Sequence, residues 1–251
     1  MADERVAMQT TYHIPGYALY GKKFSNDFTL RPMTTLEEKL RVSSPGFATI
    51  AQIIKRCLVN QTDLDINQLK MFDVQYLMYM LRIVTYGEGY NLAGTCPNCN
   101  NQIKTVIDLD GLKVNEVPED FKEPFDIGPL PVSQDIIQCK IFTLQDYLDI
   151  LKETKEKRDK FPDMTEDPSF LIELSKRILK VNGKELVPFQ LVQYLEGLHA
   201  RDYQYFDSKY LEKTNSFGLD LNVEFECPHC GRKIAYPLPM TSEFFRPTYQ
   251  D

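Results

Sequence analysis

The chain has 251 residues, 43% hydrophobic and 26% charged, with a formal net charge of −7. That length can bury a sizeable core, as one large domain or two smaller ones, without disulfide staples. The acidic balance sets it against a general nucleic-acid surface, no apolar run reaches the roughly 18 residues of a membrane helix, and the start MADERVAMQTTYHIPG lacks the apolar region of a secretory signal. The expected setting is a reducing cytoplasm, where cysteines bind metal or stay free.

Residues 1–33 mix aromatics with Gly, Pro and Asn and show no helical period. They read as an extended arm, with a short strand at Phe28–Leu30. Thr34 and Thr35 each have a glutamate three residues on, Glu37 and Glu38, which is the capping-box spacing of a helix start. Ser44-Pro45 marks a second start, followed by the stripe Phe47, Ile50, Ile53, Ile54, Cys57 and Leu58. A third helix runs from Asp73 to Gly87 with almost no polar face, as expected for a helix buried on all sides.

Gly87-Glu88-Gly89-Tyr90 reads as a helix stop and turn. The segments 102–109 and 135–142 read as strands, separated by a proline-rich loop. Thr143 opens another helix, with Leu144, Tyr147, Leu148 and Leu151 on one stripe. Asp167-Pro168 opens the next, with Phe170, Leu171, Leu174, Ile178 and Leu179 inside. Asn182-Gly183 is a turn. Pro188 begins a helix with Phe189, Val192, Leu195 and Leu198 inside, and a last helix covers about 202–211, with His199 at the end of its predecessor. Strands follow at 219–225 and 233–238.

Two cysteine pairs share one pattern, Cys96-Pro97-Asn98-Cys99 and Cys227-Pro228-His229-Cys230. Asn100 follows the first and Gly231 the second, and both residue types tolerate the left-handed backbone that folds a knuckle back on its sulfurs. Two facing knuckles supply four thiolates, the donor set of a closed structural zinc site. Cys96, Cys99, Cys227 and Cys230 are therefore the expected Zn2+ ligands. An iron–sulfur cluster accepts the same residues. A redox pair would instead open a helix, whereas strands follow both pairs here. Residues 100–226 lie between the knuckles, so a shared metal would clasp the ends of a long excursion. Cys57 and Cys139 read as small core residues.

Gly16–Gly21–Lys22–Lys23 approaches a phosphate-binding loop but has lysine where Ser or Thr should bind magnesium. No nucleophile–base pattern surrounds His13, His199 or His229, so no catalytic residue, cofactor-binding residue or small-molecule substrate is expected. The terminal aromatics Tyr12, Tyr17, Tyr20, Phe24, Phe244, Phe245 and Tyr249 either dock on the core or anchor a partner.

The string Leu30-Arg31-Pro32-Met33-Thr34-Thr35-Leu36-Glu37-Glu38-Lys39, then IAQIIKRCLV, then LRIVTYGEGY, then the first knuckle, resembles the baseplate hub and hub-assembly proteins of T-even-type contractile-tailed bacteriophages. The resemblance is strongest over about residues 10–110. It implies a non-enzymatic structural or assembly role, in the virion tail baseplate after assembly in the host cytoplasm, with other baseplate and hub proteins as partners. A hub-assembly chaperone absent from the mature virion is one alternative; a zinc-ribbon nucleic-acid-binding factor is another.

The expected fold is α+β. An arm (1–33) leads into a helical domain (34–92). A zinc-ribbon-like β module follows (93–140 and 214–251), with a helical insertion (141–213) between its knuckles. The arm and the tail (240–251) are the expected partner contacts, with neither membrane nor nucleic acid involved.

Overall fold

The computed structural model describes residues 9–21, 23–44, 46–60, 64–238 and 242–245. Two compact units divide the chain: one comprises Met1–Leu64, Phe72–Val117 and Phe217–Asp251, the other Asp65–Met71 and Pro118–Ser216. The first unit contains β1 (Thr10–Tyr12), β2 (Phe28–Leu30), α1 (Thr35–Ser43), α2 (Phe47–Cys57) and, from its second residue on, α3 (Met71–Tyr86). It continues through β3 (Gly89–Thr95), β4 (Gln102–Asp108) and β5 (Val114–Asn115). The second unit holds β6 (Phe125–Ile127), β7 (Ile137–Cys139), α4 (Leu144–Lys160), α5 (Ser169–Arg177), β8 (Ile178–Val181), α6 (Pro188–Glu196) and α7 (Ala200–Thr214). The chain re-enters the first unit through β9 (Gly218–Leu219), β10 (Asn222–Glu226) and β11 (Lys233–Pro237). The fold is thus α+β, as expected, with small antiparallel sheets.

In the first unit α3 is the core. Val74, Leu77, Met78, Tyr79 and Leu81 are buried around its circumference, as its unbroken apolar sequence requires. The arm packs on it. β1 pairs with β2. The wholly buried Asp73 carboxylate accepts the Gly16 N–H at 2.7 Å and the Tyr20 hydroxyl at 2.5 Å. A Cβ at Gly16 would run into that carboxylate, so glycine is required there. Tyr20, Phe28 and Leu30 are buried, so this described part of the arm is packed into the unit.

The same unit takes in the end of the chain. Phe244 and Phe245 are fully buried, with the Phe244 ring 4.3 Å from Tyr79 and 5.3 Å from Tyr90. Of the terminal aromatics, Tyr20, Phe244 and Phe245 therefore dock on the chain's own core. Tyr249 lies outside the described residues.

Of the two candidate capping boxes, the Thr34–Glu37 one forms. Thr34 N–H and its hydroxyl both donate to Glu37 Oε2, at 2.9 and 2.6 Å, and Arg31 donates to Glu37 Oε1 at 3.0 Å. Helix α2 starts at Phe47, with Gly46 at its N-cap, later than Ser44-Pro45 suggested; Pro45 lies outside the described residues.

In the second unit β7 is the middle strand of a β6-β7-β8 sheet. Residues 118–140, expected with the knuckles, fall in this unit, where β7 pairs with β6 on one side and with β8 on the other. The helix opened at Asp167-Pro168 also stops sooner than its apolar spacing implied. Ile178 and Leu179 belong to β8, because β7 offers hydrogen-bond partners that a further helical turn would forgo. Asn182 and Gly183 then turn the chain with φ of 50° and 74°. His199 caps the start of α7, its Nδ1 accepting from Arg201 N–H at 3.1 Å, rather than ending a helix.

Burial pushes the Glu37 carboxyl up, but Arg31 and the Thr34 hydroxyl and N–H outweigh it and hold it at about 2, against an ordinary 4.5. A depressed folded value means that ionised Glu37 stabilises the fold above 4.5, and that this is lost as pH falls towards 2. Urea titrations across that window should show a shallower loss of stability in Glu37→Gln than in the unaltered chain. Identical profiles would contradict this.

Candidate metal centre

Each cysteine pair sits at the tip of a hairpin. β3 pairs with β4 from Gly89↔Asp108 to Thr95↔Gln102, and β10 pairs with β11 from Asn222↔Pro237 to Glu226↔Lys233. The sequence reads Gly87–Tyr90 as a helix stop and turn, but β3 already begins at Gly89, held extended by its pairing with β4.

The two tips are built alike. Cys96 N–H donates to Asn101 O and Asn100 N–H to Cys96 O, both at 2.9 Å. Cys227 N–H donates to Arg232 O and Gly231 N–H to Cys227 O, again at 2.9 Å. Asn100 and Gly231 take the left-handed conformation, with φ of 57° and 68°. That turn aims N–H groups at sulfur, as in Asn98 N–H to Cys96 Sγ at 3.4 Å. The Asn101 side-chain amide reaches Cys99 Sγ at 3.5 Å.

The hairpins meet at their sulfurs. Cys96 Sγ lies 3.9 Å from Cys230 Sγ, Cys99 Sγ lies 3.8 Å from Cys227 Sγ, and all four sulfurs fall within 4.8 Å of one another. Four thiolates about 2.3 Å from one tetrahedral ion would be about 3.8 Å apart. The cluster therefore fits a single metal ion. An iron–sulfur cubane puts each cysteine on its own iron and needs the sulfurs farther apart. Ile103, Ile234 and Phe225 pack against the cysteines and wall the site from one side. Two contacts tie tip to tip: His229 Nε2 meets Gln102 O at 3.1 Å, and Arg232 Nη1 meets Asn98 Oδ1 at 3.4 Å.

Charge is distributed unevenly among the thiols. Burial pushes the Cys96 thiol up, but the N–H groups of Asn98 and Cys99 and the adjoining thiols outweigh it and bring it down to about 6. Cys230 gains from the Arg232 N–H, yet burial and the sulfurs of Cys227, Cys99 and Cys96 push it up to about 11. A cation among the sulfurs would remove that competition. Cys57 and Cys139 lie outside the cluster and are buried, which pushes both thiols up to about 12, as expected of core residues.

The near-phosphate loop is not assembled. Its Gly16 N–H is already taken by the Asp73 carboxylate, which would repel a phosphate; Lys22 lies outside the described residues.

The family described as T4 bacteriophage base plate protein matches residues 18–246. The chain belongs to that family. No curated protein and no solved structure matches the chain. The base plate family member has no helix, among its described residues, long and apolar enough to cross a membrane.

Left-handed φ at the knuckle turns should show in stability. Gly231→Val should lower the Tm of this base plate protein, since a β-branched residue at that φ costs on the order of 1–2 kcal/mol. Asn100→Gly should melt like the unaltered chain. Equal Tm values for all three chains would contradict the proposed role of these turns.

Proposed function

We propose that this chain is a structural or assembly component of the baseplate hub region, working through protein–protein contacts and clasped by one structural zinc ion on Cys96, Cys99, Cys227 and Cys230. The family match over residues 18–246 carries the proposal. The four sulfurs supply the chemistry of the clasp, because an all-cysteine tetrahedral set with no open position is how structural zinc is held. Bound zinc would supply four metal–sulfur bonds in place of covalent crosslinks. The chain's own residues do the rest: knuckle N–H groups orient the thiolates and Ile103, Ile234 and Phe225 keep the site dry on one face.

Non-enzymatic action is part of the same proposal. His199 caps α7, His229 ties the two knuckles, and His13 pairs with Asp27 at 3.0 Å. Nucleic acid is a poor fit beside the second knuckle, where Glu224 and Glu226 are exposed on β10. Partner contacts of the arm and tail fall to residues that the core does not claim, such as the exposed Thr11 and His13; Phe244 and Phe245 are already occupied.

Elemental analysis of the purified chain should find one zinc per chain, lost from both Cys96→Ser and Cys227→Ser. Full zinc retained by either variant would show that the knuckles do not share a site.

A further inference from the structure

The two cysteine tips are held together by more than sulfur. His229 Nε2 meets Gln102 O at 3.1 Å and Arg232 Nη1 meets Asn98 Oδ1 at 3.4 Å, both from the second tip to the first. Ile103 of β4 and Ile234 of β11 are buried beside the cysteines, with Phe225 packed against them. Further down the hairpins, Gly94 of β3 lies against Tyr236 of β11, whose ring a Cβ at Gly94 would meet at 3.5 Å. None of these contacts needs a metal, so they keep the tips facing each other when a metal is withdrawn.

The sulfurs that face across this junction are matched in distance and in access. Cys96 Sγ lies 3.9 Å from Cys230 Sγ, and Cys99 Sγ lies 3.8 Å from Cys227 Sγ. Cys96 and Cys227 are buried, Cys99 is half-buried and Cys230 is exposed. Each cross-tip pair therefore joins a sulfur that solvent reaches to one that it does not. That arrangement suits a thiol that meets an oxidant beside a thiol that resolves the product. A disulfide of about 2.0 Å asks each pair to approach by about 1.8 Å, which side-chain rotation supplies.

We propose that these four cysteines are also a redox site, closing without metal as two disulfides across the tips, Cys96–Cys230 and Cys99–Cys227, with hydrogen peroxide as the oxidant. In each pair the accessible sulfur attacks a peroxide oxygen, the O–O bond breaks, and one water leaves a sulfenic acid behind. The buried sulfur attacks that sulfur, the S–O bond breaks, and a second water leaves. Two thiols thus give up two electrons and two protons, and one peroxide becomes two waters. The product no longer offers thiolates to a metal, yet it ties the same two hairpins. An oxidising medium would exchange one clasp for another. The proposal shares its sulfurs with the zinc reading but does not depend on it.

The full chain, stripped with EDTA, treated with hydrogen peroxide, alkylated and cut with trypsin without reduction, carries each knuckle on its own peptide. Mass spectrometry should find the two knuckle peptides joined to each other by two bonds. Cys99→Ser with Cys227→Ser leaves Cys96 and Cys230, and should form its bond several-fold faster than Cys99→Ser with Cys230→Ser, which leaves Cys96 and Cys227. If either double variant melts early, fragmentation of the joined peptides from the unaltered chain decides the pairing. Bonds inside a knuckle, bonds between chains, sulfinic or sulfonic acids in place of bonds, or equal rates in the two double variants overturn the proposal. The zinc content of the untreated chain plays no part in this readout, so either reading can fail alone.

Discussion

Four sulfurs gathered within 4.8 Å repel one another as thiolates, and a cation between them turns that repulsion into attraction. The geometry of the first unit is organised around this constraint. Two hairpins, distant in sequence, present cysteines from tips of the same construction, and the sulfurs meet at the edge lengths of a tetrahedron. A hairpin of two strands is marginal in water by itself. Here each of the two, β3–β4 and β10–β11, gains a small shared core of Ile103, Ile234 and Phe225 with the cysteines.

A clasp at the cysteines would act on a chain already partly closed. β5 pairs with β9, Val114 opposite Leu219 and Asn115 opposite Gly218, just where the backbone leaves and re-enters the first unit. The loop that a metal would close is therefore much shorter than residues 100–226 suggest, and its entropic gain correspondingly smaller. The larger consequence is orientation. With the neck joined by β5–β9 and the tips joined at the sulfurs, the returning chain is held at two points before Phe244 and Phe245 pack against Tyr79 and Tyr90.

What the sequence disclosed follows how local each signal is. The capping box at Thr34 and Glu37, the apolar circumference of α3 and the two knuckles each lie within a few neighbouring residues, and all were legible. Features set by distant residues were not. Nothing near Gly16 or Tyr20 announces that Asp73, on α3, fixes them, so the sequence leaves the arm's aromatics equally open to docking on the core or anchoring a partner. Gly89 and Gly94 disguise β3, which exists because β4 pairs with it. Ile178 and Leu179 continue a helical stripe and become strand because β7 is there to receive them. Phe189 fits a core pattern and stands in solvent, because α6 turns its first turn away from the core. The pairing of knuckle with knuckle was inferable from the two matching Cys-Pro-x-Cys turns, each followed by a residue that tolerates the left-handed backbone.

In a member of the base plate family, a metal on the four gathered cysteines would hold a scaffold, and the exposed faces would do the work. The clasp is the part of that account most directly open to measurement. X-ray absorption at the zinc edge, on the purified full-length chain, reports the ligand shell itself. A structural zinc on these cysteines gives four sulfur neighbours at about 2.3 Å and no lighter ligand. A shell containing nitrogen or oxygen, or one with only two sulfurs, would contradict it.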